Sequence, residues 1–360
     1  MFYIRRLPLL NLHKLPVHHR VFGLFGLLTL TLWTTACSSM SVNVAPPTID
    51  PAQPAVSPPV SQQPAGAVRA LPGHSQAACF DGSTHQLAVL SPGANPAGPA
   101  SLSLFGAGQA PPRIVPLPVP ATALTCDDRG TAYLAARGGY VTVDLSSGHA
   151  AQVSVTEAGQ IDFTAIARRA DGKLALGSAD GAVYTLASDA TSEAKVANRN
   201  KIFARVDALV TQGNTTIVLD RGQTSVTTIG ADGRAQQALR AGQGATTLAA
   251  DPLNRVLVAD TRGGQLLVYG IDPLILRQAY PVRGAPYGLA GSHALAWVSQ
   301  TASNIVIGYD LSTGIPVEKV RYPTVQQPNS LAFDEAADTL YVVSGTGAGV
   351  QVIEHAAGRP

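Results

Sequence analysis

The chain has 360 residues, of which 13% are charged, with 35 Gly and 26 Pro. Four of its 25 basic residues and none of its 23 acidic residues precede Cys37, which leaves 21 basic against 23 acidic residues in the remainder. This nearly neutral remainder argues against a nucleic-acid partner, which needs a clustered basic face. The length suffices for one large repeat domain together with extra segments.

The first 36 residues have the order of an export signal. Four basic residues lie before or at Arg20, and 13 uncharged, mostly apolar residues, Val21–Trp33, follow them. A run of this length suits the hydrophobic region of a signal peptide and is too short to span a bilayer comfortably. The small residues Thr34, Thr35 and Ala36 then stand directly before Cys37.

This arrangement resembles the lipobox of bacterial lipoproteins, with Thr34 where that pattern prefers Leu. The resemblance implies that residues 1–36 are removed as a signal peptide and that the Cys37 thiol carries a diacylglyceryl group with acyl chains such as palmitate. The protein would then be exported and held on the extracytoplasmic side of a membrane, and whether that membrane is the inner or the outer one stays open. The alternative interpretation is an ordinary signal followed by a free or buried cysteine.

Residues 37–66 are predicted to form a spacer. Seven Pro fall between Ser41 and Gly66, and the segment has almost no charge and no apolar period. Proline fixes φ and lacks a backbone donor, so neither helix nor sheet is favoured. The composition predicts a disordered, partly polyproline II tether that reaches at most about 90 Å at ~3.1 Å per residue.

From residue 67 onward the sequence repeats with a period near 42 residues. The repeat positions, spaced 39 to 43 residues apart, are Leu124, Ile166, Leu209, Leu248, Leu289 and Leu331, and Cys79 opens the series 47 residues before Cys126. The second strand of each unit is apolar on both faces, which indicates that both faces are covered. Repeats of several strands at this period predict one all-β domain over residues 67–360, a seven-bladed β-propeller of four-stranded antiparallel blades.

The two ends of the repeat array predict how the ring closes. After the strand Val350–Ile353 only seven residues remain, so the last unit lacks an outer strand. The segment Ala67–Leu71 precedes the first unit and belongs to no unit of its own. We expect this N-terminal segment to supply the missing strand, because that pairing removes an open sheet edge.

Several repeat motifs are similar to those of YVTN/NHL-type propellers of bacterial lipoproteins, the YncE-like kind. Val258–Thr261 (VADT) followed by Gln265–Tyr269 looks NHL-like, and Ser303–Gly314 and Val141–Gly148 look YVTN-like. The resemblance spans the whole repeat region and also extends to WD40-like architecture. It implies a fold and leaves the function open.

Two cysteines remain in the repeat region. Cys79 and Cys126 each lie eight residues before a matching leucine, Leu87 and Leu134, so they occupy equivalent places in adjacent units. In an oxidising compartment such neighbours can form a disulfide. We predict that bond, and two buried thiols are the alternative.

No catalytic, metal or cofactor site is predicted. The five histidines of the repeat region show no ligand spacing and adjoin no carboxylate pair. Residues just before the inner strands should lie around the mouth of the central channel, where propellers commonly bind. We therefore predict ligand-binding roles there for Asp207, Tyr287, Asn329, Thr246 and Arg283, and the alternative is that these polar side chains are merely solvated.

These observations favour a monomeric, non-enzymatic binding or scaffold lipoprotein. Its partners would be the membrane, through the lipid anchor, and a protein or envelope ligand on one propeller face, with no nucleic acid and no cofactor. The enzymatic alternative is a lactonase-like propeller hydrolase that uses a divalent metal in the central channel. A third interpretation is an assembly lipoprotein of an outer membrane.

Overall fold

The computed structural model describes residues 47–93, 95, 98–187, 190 and 192–358. In this part of the chain the regular structure is all strand, arranged in seven sheets around a central channel. The inner strands are β2 (Ala77–Asp81), β6 (Ala123–Cys126), β10 (Phe163–Arg168), β15 (Ala208–Gln212), β19 (Ala245–Asp251), β23 (Pro286–Gly291) and β27 (Pro328–Asp334). All seven predicted repeat positions lie in these strands.

The second and third strands of each blade follow in antiparallel order. The second strands are β3 (Gln86–Ser91), β7 (Thr131–Ala136), β11 (Leu174–Ser178), β16 (Thr215–Asp220), β20 (Arg255–Asp260), β24 (Ala296–Gln300) and β28 (Thr339–Ser344). The third strands are β4 (Ser101–Phe105), β8 (Gly139–Asp144), β12 (Ala182–Leu186), β17 (Ser225–Ile229), β21 (Gln265–Ile271), β25 (Ile305–Asp310) and β29 (Val350–Ile353).

The outer strands complete the blades. They are β5 (Arg113–Pro116), β9 (Ala150–Val155), β14 (Val196–Lys201), β18 (Ala235–Arg240), β22 (Leu274–Pro281), β26 (Val317–Pro323) and, for the last blade, β1 (Ala67–Arg69). Their solvent-facing side chains are largely exposed, unlike those of the second strands. The predicted fold class, a seven-bladed propeller of four-stranded antiparallel blades, is confirmed.

The core consists of apolar layers between neighbouring blades. In the described residues there are seven such clusters, one for each space between adjacent blades. Strand β7 shows why its sequence is continuously apolar: Leu134 packs toward the first blade, whereas Tyr133 and Ala135 pack toward the third. Successive side chains of a strand point to opposite faces, and here both faces are covered.

The N-terminal strand closes the ring, as the repeat count predicts. Ala67 pairs with Val352 and Arg69 pairs with Val350 in antiparallel register. The buried Arg69 guanidinium also donates to the backbone oxygens of Gly106 (2.8 Å) and Ala110 (2.6 Å) in the first blade. The short strand β1 therefore ties the last blade to the first.

One additional strand was not expected from the sequence. Strand β13 (Glu193–Ala194) lies in the connection between β12 and β14 of the third blade and pairs in parallel with β9 of the second. It makes the second blade five-stranded. Its two residues carry no periodic pattern, so no repeat argument could have predicted it.

Residues 47–66 differ from the predicted disordered tether. The first part, residues 47–60, crosses the face on which the inner strands begin. We call this segment the strap, and we call that face the mouth face. The loops before the inner strands and those between second and third strands form the mouth face, and the opposite surface is the far face. Backbone groups of the strap are bonded there, for example the Ile49 amide to the Gly222 oxygen at 2.8 Å.

The tether prediction fails because residues far away in the sequence hold this segment in place. Proline removes donors but keeps carbonyl oxygens, so the segment can be fixed by donors from elsewhere in the fold. The predicted signal peptide and the predicted lipidation site Cys37 lie outside the described residues. Within the described ranges there is no helical segment with the length and apolar character of a membrane span.

Closure by β1 can be tested at Gly66. Its φ is +70°, and a Cβ there would come within 2.1 Å of the Val352 oxygen in β29. Because a left-handed conformation costs about 1–2 kcal/mol for other residues and the clash adds to it, we expect Gly66→Ala to lower the free energy of unfolding by about 3 kcal/mol. Denaturant unfolding measures the change.

Gly73→Ala is the matched control. Gly73 has φ +79°, but a Cβ at that position would meet nothing within 4 Å. The Gly73→Ala substitution should therefore lower the free energy of unfolding only by the cost of the left-handed conformation, about 1–2 kcal/mol. Equal losses at both positions would contradict the closure model.

Candidate functional site

The inner strands surround a cavity of about 690 Å³ that opens on the mouth face. Small side chains such as Ala123, Ala165 and Ala208 form much of its wall, and Phe80 and Phe333 also line it. The wall offers few polar side chains below the opening. The charged side chains of the lining, Asp207 and Arg221, therefore lie at the rim.

Three side chains meet at that rim. The Asp207 carboxylate accepts from the Arg221 backbone amide at 2.9 Å and from Arg205 Nε at 3.2 Å. Burial raises the pKa of the Tyr287 phenol, while the nearby Arg221 guanidinium acts to lower it. Asp207, Arg221 and Tyr287 thus present an anion, a cation and a neutral phenol at one opening.

Local backbone irregularities place several of these residues. Each of the inner strands β10, β19, β23 and β27 has a register shift near its start, at the position of Thr164, Thr246, Tyr287 or Asn329. An extra residue in one strand redirects its side chain relative to the regular pleat. The rim positions are therefore set by a recurring bulge.

Hydroxyl groups at the rim mostly connect blades. Thr122 Oγ1 donates to the Phe163 oxygen at 2.6 Å, and Thr164 Oγ1 donates to the Val206 oxygen at 2.5 Å. Thr246, which was predicted to bind ligand, is nearly buried, and its hydroxyl lies 2.6 Å from that of Thr261. Thr246 lines the channel but its hydroxyl already has a protein partner.

Two other predicted residues lie apart from this cluster. Asn329 does not line the cavity, and its Oδ1 accepts from Gln327 Nε2 at 3.0 Å. Arg283 is exposed on the mouth face, in the loop between β22 and β23. The structure thus brings together Asp207, Tyr287 and Thr246 along the cavity wall.

Arg221 is the rim residue that the sequence did not reveal. It follows β16 directly, in a loop between second and third strands, where no repeat signal marks it as facing the channel. Its Nη2 donates to the Ala52 oxygen of the strap. No other pattern in the sequence would have identified this position.

A second depression of about 670 Å³ lies on the mouth face across the second to fourth blades. Val119, Pro120 and Ala179 give it an apolar lining. Its polar part has Arg205 and the ion pair of Arg137 with Asp162. Thr122 and Thr164 line both this groove and the channel. The groove and the channel opening therefore form one continuous surface, which the strap leaves open.

In this structure Cys79 and Cys126 are joined by a disulfide in the channel wall, with a Cα–Cα distance of 5.9 Å. The bond links β2 of the first blade to β6 of the second. It lies part-way toward the far face, where Cys126 also lines a depression with Asp127 and Arg129.

Among the described residues, no group of three or more His, Cys, Asp or Glu side chains is placed to hold a metal ion. The lactonase-like alternative with a divalent metal stays a prediction, which metal analysis of the purified protein tests.

Comparison with known proteins shows the propeller fold. No family model and no curated protein matches the chain. A chain of the mitotic checkpoint complex is similar at TM-score 0.67 and 12% identity, covering 87% of this chain and 99% of that one. Kuenenia stuttgartiensis hydrazine synthase is also similar, at TM-score 0.64 and 13% identity, covering 82% of this chain and 98% of that one. Virginiamycin B lyase from Staphylococcus aureus is similar at TM-score 0.63 and 11% identity, covering 78% of this chain and 95% of that one.

These similarities place the chain among β-propellers of diverse roles. At 11 to 13% identity they concern the fold alone. One fold commonly carries unrelated functions, so the function must be argued from the site.

The disulfide predicts a redox-dependent stability. The cysteines are 47 residues apart, and closing a loop of that length is expected to contribute about 4 kcal/mol by restricting the unfolded chain. We expect dithiothreitol to lower the free energy of unfolding of the wild-type protein by about that amount. The doubly substituted Cys79→Ser/Cys126→Ser protein should already be destabilised and should not respond to the reductant. A wild-type protein that is indifferent to dithiothreitol would contradict the bond.

Proposed function

We propose that the protein is an exported lipoprotein, anchored through Cys37, that binds a protein or envelope ligand on its mouth face without catalysing a reaction. The observation that carries the proposal is the cluster of Asp207, Arg221 and Tyr287 at the opening of a cavity of about 690 Å³. An anion, a cation and a phenol on a loop-built face suit recognition of a polar surface.

Two further observations support this proposal. The similar chain in the mitotic checkpoint complex belongs to a protein assembly, which is the kind of role proposed here. The Cys79–Cys126 bond fits export, because disulfides persist in oxidising compartments. Virginiamycin B lyase has the same fold, so the proposal rests on the rim cluster rather than on the fold.

The bound strap alters the reach of the proposed anchor. Because residues 47–66 lie against the propeller, only residues 38–46 separate Cys37 from the strap. Nine residues span at most about 30 Å when fully extended. The proposed lipoprotein would therefore bind partners that are themselves close to the membrane.

The proposed binding face can be tested by site-specific photocrosslinking in intact cells. Arg283 is exposed on the mouth face, and Ile315, with 69% of its surface exposed, lies on the far face. We expect a photoreactive residue at position 283 to capture a specific partner and one at position 315 to capture none. Capture only from position 315, or from neither position, would argue against the mouth face as the binding surface.

The proposed anchor is tested by Cys37→Ala. Loss of the thiol removes the acyl chains, so the protein should move from the membrane fraction to the soluble fraction, because two or three acyl chains are needed for stable anchoring. Ser38→Ala is the matched control and should stay with membranes. Quantitative recovery of the Cys37→Ala protein in membranes would refute lipid anchoring at this residue.

A further inference from the structure

The strap is held mainly through its backbone oxygens. Five of them accept hydrogen bonds from side chains on four different blades: Asp50 from Arg262, Ala52 from Arg221, Ala55 from Gln327, Ser57 from Gln326 and Pro58 from Asn304. These contacts depend on the path of the chain and hardly on which side chains it carries. The mouth face therefore has the features of a surface that recognises an extended peptide.

Side-chain recognition is confined to two small residues. Ala52 and Ser57 are buried, five positions apart, and the Ser57 hydroxyl donates to the Thr301 oxygen at 2.6 Å. Between them Val56 leaves 91% of its surface exposed. The surface therefore selects small residues at two places and tolerates other side chains between them.

The composition of the strap matches this mode of binding. Five prolines occur in residues 47–60. Proline has no amide hydrogen and favours an extended backbone, so a proline-rich peptide offers carbonyl oxygens in a preorganised conformation. Asp50 is the single charged residue of this segment.

The strap can leave the face without unfolding a blade. It has no strand pairing with the propeller, and its first pairing strand downstream is β1. Few buried side chains and no sheet hydrogen bonds are the marks of a segment that opens locally. The ring remains closed by β1 when the strap is displaced.

We propose that the mouth face is a receptor for an extended, proline-containing peptide of low charge from a partner protein, and that the strap is its built-in competitor. This inference deepens the proposed function by naming the chemistry of the partner, and it rests on that function for the view that the partner is a protein.

The open groove gives such a partner an advantage over the strap. Arg137 directly follows β7, and Arg221 directly follows β16, so the two arginines hold the same loop position in the second and fourth blades. Arg221 already binds a strap oxygen. Arg137 lies beside the groove that the strap leaves open, where its exposed side chain donates to Gln160 Oε1 at 2.8 Å and lies 3.7 Å from Asp162 Oδ1. A peptide longer than the strap can occupy the groove and then replace the strap, contact by contact.

A labelled peptide tests this directly. The probe is a fluorescein-labelled synthetic peptide with the sequence of residues 47–60, and its binding to the full chain is followed by fluorescence anisotropy. A tethered competitor acts at an effective concentration of the order of millimolar, so the wild-type chain should bind the probe weakly. The full chain carrying Ala52→Asp and Ser57→Asp should bind it at least ~10-fold more tightly, because its own strap no longer fits.

Two controls identify the surface. Adding Arg221→Ala and Gln327→Ala to the strap-substituted chain should abolish the gain, because these side chains bind the Ala52 and Ala55 oxygens. A probe with aspartate at the two small positions should not bind. Equal affinity of all chains for the probe, or no binding to the strap-substituted chain, would overturn the proposal.

Amide hydrogen exchange gives a second measurement should the substituted chain fail to fold. In the wild-type chain the Ile49 amide donates to the Gly222 oxygen, so saturating probe should accelerate its exchange. Unchanged exchange at saturation would also overturn the proposal. If position 283 captures a partner but the probe does not bind, only the proposed peptide chemistry is rejected. If the probe binds but no partner is captured, the result counts against the proposed function.

Discussion

Packing of each sheet between two others is the constraint on which the rest of this structure depends. In a second strand such as β7, alternate residues enter different apolar layers, so neither face is free to be polar. A four-stranded sheet of this kind cannot bury both faces alone, and it needs a neighbour on each side. The ring must therefore close, and β1 makes the closure by pairing with β29.

The same constraint explains how much of the fold could be predicted. Double burial imposes apolar second strands, such as β7 and β20, at a nearly constant interval, so these strands mark the blades in the sequence itself. Outer strands such as β18 face water, where many side chains are acceptable, and they leave a weak pattern. Strand β13 is fixed by one local pairing with β9 and leaves no pattern at all.

The candidate site was predictable only where it follows the repeat. Asp207 and Tyr287 lie directly before or at the start of inner strands, so their place at the rim follows from the period. Arg221 reaches the rim from a different loop, and the strap is held by side chains more than 150 residues away in sequence, such as Gln327. A composition rich in proline indicates the absence of helix and sheet, but it does not say whether distant donors will fix the chain.

The path of the strap has a mechanical consequence. A pull on the N-terminal end of the propeller is met first by hydrogen bonds on four blades, and only afterwards by the three-residue strand β1. The strap thus distributes tension among four blades. It protects the seam of the ring, which is the pairing of β1 with β29, from load. Displacement of the strap would transfer that tension to the seam, so that occupancy of the mouth face and the mechanical strength of the ring are linked through one segment.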